Sequence, residues 1–169
     1  MCIRDSPCLV SKKSYIGNVG GVMNAVIIEG KPVGESILQG EGAGPGPTSS
    51  ALLSDLLLIL KSNINNPFGV SVSNLKSLKP YNIDNYSNSL YLSFEVKDRP
   101  GVLSQITNRL TKYNILVKRL IQTPDKKNNK ATIVIITHKT SELNSINCLA
   151  IFKNKKNFLK TPTLIRLLG

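Results

Sequence analysis

Leu90-Tyr91-Leu92-Ser93-Phe94-Glu95-Val96-Lys97-Asp98-Arg99-Pro100-Gly101-Val102-Leu103 is the stretch that decides the fold. Leu90, Leu92, Phe94 and Val96 alternate with Tyr91, Ser93 and Glu95, the period-two pattern of a half-buried strand. Asp98 to Gly101 reads as a turn, with Asp98 or Arg99 near a helix cap and Pro100 in the first helical turn. The spacing predicts a helix to Tyr113, with Val102, Leu103, Ile106, Leu110 and Tyr113 on one face. Asn114 can close it, because Asn tolerates the left-handed conformation. Further on, Ile115 to Gln122 reads as a strand and Thr123 to Asn129 as a polar hairpin loop. Ala131 to Thr137 is a continuous apolar run, expected to be a strand buried on both faces. Ser141 is placed to cap a second helix carrying Leu143, Ile146, Leu149, Ala150 and Ile151, and Thr163 to Leu168 reads as a fourth strand. The order βαββαβ over residues 89–169 is a split βαβ, or ferredoxin-like, unit.

Upstream, a second stretch has a different grammar. Val22 to Ile28 and Val33 to Gln39 read as two strands of a hairpin around the turn Glu29-Gly30-Lys31-Pro32. Gln39-Gly40-Glu41-Gly42-Ala43-Gly44-Pro45-Gly46-Pro47 follows as a loop almost free of side chains. From Thr48 or Ser49 as cap, a helix is expected to about Lys61. A bare loop before a helix can lay backbone N–H groups against a flat or anionic ligand, whereas the plainer reading is a flexible linker. It is not the G-x-G-x-x-G dinucleotide fingerprint. Leu52, Leu53, Leu56, Leu57, Ile59 and Leu60 cover more than one face of the helix, which calls for protein on several sides. A hairpin plus one helix, about 55 residues, cannot enclose a core. The expectation is therefore that residues 7–62 complete a larger domain or pack on a partner. Residues 63–88 read as a linker with a short strand-like Val70-Ser71-Val72 patch, and residues 7–21 as loop. Residues 1–6 show neither periodicity nor cap and read as a non-native junction.

Composition narrows the classes. The net charge of +12 is uneven: residues 1–60 carry four Lys/Arg against five Asp/Glu, and residues 61–169 eighteen against five. That basic half raises nucleic acid as a partner. Ile133-Val134-Ile135, however, stands where a ferredoxin-like nucleic-acid binder needs stacking aromatic rings, so nucleic acid is not expected. No run approaches the roughly 18 apolar residues of a membrane span, and a cytoplasmic protein is expected. Cys2, Cys8 and Cys148 form no metal spacing and no even disulfide set, and the single histidine, His138, reads as a surface residue, so no metal is expected. Cys148 reads as a small core residue, and Asp55 as a salt-bridging or edge residue.

Two motifs in order resemble one family. Val22-Met23-Asn24-Ala25-Val26-Ile27-Ile28-Glu29-Gly30, then Gln39 to Gly44, Pro47-Thr48-Ser49-Ser50-Ala51 and Asp55, resemble the end of the catalytic region of homoserine dehydrogenase. Val96-Lys97-Asp98-Arg99-Pro100-Gly101-Val102-Leu103 resembles the opening of an ACT domain, which has the βαββαβ order. The resemblance implies an α+β chain: a hairpin and helix completing an α/β catalytic domain, then a ferredoxin-like ACT domain. It implies interconversion of L-homoserine and L-aspartate 4-semialdehyde with NAD(P), on the route to threonine, methionine and isoleucine. Gly44, and less directly Gly42, would lie against the cofactor. Asp98, Arg99, Gly101, Val102 and Leu103 would hold an amino-acid effector such as threonine. A homodimer is implied.

The family's dinucleotide fingerprint, substrate lysine and acidic residues, and metal-binding loop would lie upstream of Pro7. No catalytic residue is therefore expected in this chain, and no activity from it alone. Glu41 stands where an arginine is common, which leaves the choice between NAD and NADP open. The alternative reading is a stand-alone ACT regulatory subunit, which would have no need of the glycine loop and the apolar helix.

Overall fold

A computed structural model of the chain describes residues 7–61, 69–77, 79, 82, 84, 86–125, 127–152 and 156–168. The expectation for residues 1–6, and part of that for the linker, lies outside these. The chain divides into two compact units, residues 12–79 and residues 1–11 with 80–169.

The first strand, β1 (Cys8–Val10), belongs to the second of these units. Residues 12–79 hold the hairpin β2 (Met23–Gly30) and β3 (Gly34–Glu41), and the helix α1 (Pro45–Leu60). The hairpin is in register from Met23 opposite Glu41 to Gly30 opposite Gly34. It is two residues longer at the β3 end than the sequence reading, so Gly40 and Glu41 are strand, and Gly46 is helix. The glycine loop shrinks to Gly42, Ala43 and Gly44. Thr48 and Ser49 do not cap α1: Gly44 does, and the helix starts at Pro45. Proline pre-sets the helical φ and has no N–H to leave unpaired at that position, so the cap falls at least four residues earlier than expected. Val72–Asn74 is a 3-10 turn rather than a strand. Among its described residues this unit has no fully buried side chain, and Leu52 to Leu60 of α1 are 51–69% exposed wherever apolar.

The other unit runs β4 (Ser87–Lys97), α2 (Val102–Lys112), β5 (Val117–Asp125), β6 (Lys130–Thr137), the two-residue β7 (Thr140–Ser141), α3 (Glu142–Ala150) and β8 (Thr163–Leu168). With the short β7 set aside, the order is βαββαβ. The sheet order is β1-β8-β4-β6-β5, with β7 paired to β4. All pairs are antiparallel except β1 with β8, where Cys8 lies opposite Arg166 and Val10 opposite Leu168 in parallel register. The Cys8–Val10 segment thus corrects the loop reading of residues 7–21.

Both helices serve one face of this sheet. Leu90, Leu92, Phe94 and Val96 of β4 meet Ala131, Ile133 and Ile135 of β6, Val102, Ile106 and Leu110 of α2, and Cys148 and Phe152 at the end of α3. Phe94 stacks edge-on against Phe152 and Phe158, with ring centroids at 5.4 and 6.2 Å. Each such fully buried Leu, Ile or Phe contributes on the order of 1.5–3 kcal/mol. Among the described residues of this unit no helix covers the second face, which corrects the reading of β6. Ala131, Ile133, Ile135 and Thr137 are buried, while Thr132 is exposed and Val134 and Ile136 are half-buried. The turn before α2 is also corrected. The helix opens at Val102 with Gly101 as cap, and Pro100 lies in the turn, because Gly101 takes a left-handed φ of 85° that ends the extended chain there.

Candidate functional site

The turn between β4 and α2 makes the first candidate site. A cavity of about 400 Å³ is lined by Asp98, Arg99, Gly101, Val102 and Leu103, all five of the residues singled out from the sequence. Val96, Gln122 and Ile133 also line it. Sequence reasoning missed these, because Gln122 and Ile133 come from β5 and β6 and reach the turn only through sheet pairing. Gly101 offers no side chain to cap α2. The N–H groups of Leu103 and Ser104, in the first helical turn, have no carbonyl within the helix to donate to. The Asp98 N–H donates to the Asn129 carbonyl at 3.1 Å and the Val102 N–H to the Arg99 carbonyl at 3.4 Å, which fixes the loop. The arrangement offers a cation, a carboxylate and helix-start N–H groups beside apolar Val102 and Ile133, a set suited to a small zwitterion.

The glycine loop makes the second. Gly44 has φ 124°, a value closed to residues with a Cβ, and its carbonyl accepts from the Thr48 N–H and Oγ1 at 3.2 and 2.8 Å. Gly42 lines a groove of about 320 Å³ with Glu41, Pro47, Thr48, Leu52 and Asp55. A Cβ at Gly42 would sit 1.6 Å from Asn24 Nδ2, so only glycine fits beside that side chain as it stands. Gly44 is not among the groove's lining residues. The two glycines lie close in the loop but play different parts, Gly42 lining a groove and Gly44 capping the helix.

His138 and Asp55 are exposed, and Cys148 is fully buried with its thiol pushed up to about 11 by desolvation. Among the described residues no group of three or more His, Cys, Asp and Glu gathers to hold a metal, and no helix is long and apolar enough to cross a membrane.

One feature was not foreseen. Arg166 donates from Nε and Nη2 to both carboxylate oxygens of Glu142, the Nε bond at 3.0 Å, with Glu142 only 3% exposed. The ion pair raises the Arg166 pKa. The signal was present in the period of β8. Arg166 lies across from Leu90 and Leu164 across from Leu92, so both point to the helix-covered face. A charge there requires a partner.

The chain thus carries a hairpin–glycine loop–helix segment followed by a ferredoxin-like module with a cavity at its first strand–helix turn. Residues 2–57 match the family model for homoserine dehydrogenase, and residues 90–145 that for the ACT domain. The homoserine dehydrogenase of Helicobacter pylori is 33% identical over 98% of this chain and 39% of its own length, and that of Neisseria gonorrhoeae 31% identical over 98% and 39%. A crystal structure of a homoserine dehydrogenase from Thiobacillus denitrificans superposes with a TM-score of 0.77 at 28% identity, over 96% of this chain and 38% of that one. The chain is similar to the C-terminal part of homoserine dehydrogenases over nearly its whole length, and spans about two-fifths of the length of the curated relatives it matches.

Proposed function

We propose that the intact protein interconverts L-homoserine and L-aspartate 4-semialdehyde with NAD(P), in the biosynthesis of threonine, methionine and isoleucine, as a cytoplasmic homodimer. Residues 7–62 complete its α/β catalytic domain, residues 63–88 link, and residues 89–169 form the ACT domain. The observation that carries this reading is the order of the two family matches along one chain whose first unit lacks a core of its own. A lone ACT regulatory subunit has no use for that unit.

The dinucleotide accepts or returns a hydride when bound. The residues fit part of it: Gly42 and Gly44 bare the backbone, and a Cβ at Gly42 would displace Asn24. The groove beside them carries two carboxylates, Glu41 and Asp55. It therefore suits a hydroxyl- or amide-bearing part of the cofactor rather than its phosphates, which carboxylates repel. In the ACT domain, Asp98, Arg99 and the start of α2 receive the ammonium and carboxylate of a small amino acid such as threonine, with Val102 and Leu103 against its side chain.

Hydride transfer needs both reactants held in near-attack geometry, and the chain spans only part of its relatives. The 169-residue chain is expected to give no NAD(P)H-linked turnover of either substrate, while threonine shifts the amide signals of Asp98, Arg99, Gly101, Val102 and Leu103. Turnover by the purified chain would overturn the first expectation, and unshifted amides the second.

A further inference from the structure

Asn24 stands on the face of the β2–β3 hairpin that carries Val26 and Leu38, directly opposite Gly40. Gly42 lies diagonally across from it, two residues further on, within reach of its side chain. The Asn24 carboxamide fills the space that a side chain at Gly42 would need. In the plane of the hairpin, the Gly42 N–H donates to the Val22 carbonyl at 2.8 Å, one rung beyond the last strand pair. Strand β2 and the residue before it thus hold Gly42 from two directions, by a hydrogen bond and by a side chain.

Gly42 has a φ open to any residue, unlike Gly44 at 124°. Its lack of a side chain therefore answers to Asn24 and not to its own backbone. With two glycines in three residues, Gly42 to Gly44 would otherwise range over many conformations. Ordering a single residue's backbone costs about as much as a tenfold loss of affinity. Gly42 also lines two grooves, the one it shares with Thr48 and Asp55 and one of about 270 Å³ with Asn24, Val26 and Leu38. A shift of Gly42 would reshape both. We infer that Asn24 is a positioning residue, holding Gly42, Ala43 and Gly44 in the conformation that receives the dinucleotide; this rests on the cofactor reading of that loop. The Gly42 N–H is already engaged with Val22, so the carboxamide acts on the loop by its shape.

The test is fluorescence titration of NADH and NADPH into the intact enzyme that carries this segment, which measures binding without turnover. Asn24→Ala is expected to weaken binding about tenfold. Asn24→Leu, with nearly the same shape and no amide, should stay within about threefold of the parent. Gly42→Ala alone should lose about tenfold or more, and Asn24→Gly with Gly42→Ala should recover most of that loss, because the new methyl group enters the vacated space. Asn24 is exposed, so its replacement by alanine should leave the urea midpoint unchanged and separate loss of binding from loss of fold. In the 169-residue chain, the Gly42 N–H should exchange faster in Asn24→Ala than in the parent, with no dinucleotide present. A parent enzyme that binds neither dinucleotide would overturn the cofactor reading and this inference with it. A parent that binds, with Asn24→Ala binding as tightly, Asn24→Leu as weak as the alanine variant, no recovery in the double variant, or unchanged Gly42 exchange, would overturn the inference alone.

Discussion

Arg166 occupies the helix-covered face of the sheet because it shares the two-residue period of β8 with Leu164, and there its guanidinium needs an anion. Glu142, the first residue of α3, supplies it through two hydrogen bonds. Taking both ions out of water offsets most of their attraction, so the pair is worth little as a unit and much as a partnership. Arg166→Met alone takes both Arg166 hydrogen bonds from the buried Glu142 carboxylate, and should cost about 3–5 kcal/mol in urea unfolding. Glu142→Leu with Arg166→Met removes both charges from a largely apolar setting and should come within about 1 kcal/mol of the parent, or above it. A double variant as unstable as the single one would show that Arg166 acts through packing of its stem rather than through the carboxylate.

The C-terminus of α2 shows what a short motif can fix. The Ile115 N–H donates to the Leu110 carbonyl at 2.9 Å and the Asn114 N–H to the Thr111 carbonyl at 3.0 Å, with Asn114 at φ 53°. Those two bonds and the buried Leu110–Ile115 pair make a Schellman ending, which turns the chain into β5. Asn114→Ala should cost about 1 kcal/mol in chemical denaturation, since alanine resists the left-handed region, while Asn114→Gly should match or exceed the parent. Equal stability of the alanine variant would mean the ending is held by Ile115 burial alone. This element was legible because Asn114 is a local signal, and Leu110 and Ile115 bracket it. The β4–α2 turn was legible for the same reason, from Asp98 to Leu103, though not the residue that caps the helix. Faces decided by distant partners were not. The α3 stripe expected from Leu143 and Ile146 is rotated, with Glu142, Ser145 and Cys148 buried instead and Leu143 and Ile146 half-exposed. The Arg166 ion pair and the Phe94–Phe152–Phe158 cluster hold the helix that way round, and neither is visible within nine residues of helix sequence. The double burial expected of β6 failed likewise, because a run such as Ile133-Val134-Ile135-Ile136 does not say how many helical layers cover it.

On the scale of the molecule, the two units differ in what stabilises them. Residues 80–169 enclose a core around β4, and the chain segment before Lys12 adds a parallel strand to its edge, so residues 12–79 are an excursion between two strands of one sheet. That excursion carries Leu52, Leu53, Leu56, Leu57, Leu58, Ile59 and Leu60 on a helix with no buried residue. Seven exposed apolar side chains on four turns are a liability in water unless protein covers them. The leucines should therefore govern the association of the chain but not the stability of its ACT unit. Replacing Leu53, Leu57 and Leu60 together by Gln should lower dye binding and the sedimentation-derived self-association of the 169-residue chain several-fold. The unfolding midpoint reported by Tyr91, on β4, should stay within about 0.5 kcal/mol of the parent, as for a surface change outside the core. A drop of several kcal/mol at Tyr91 would mean that α1 is part of what holds the ACT unit together, and that the two units fold as one.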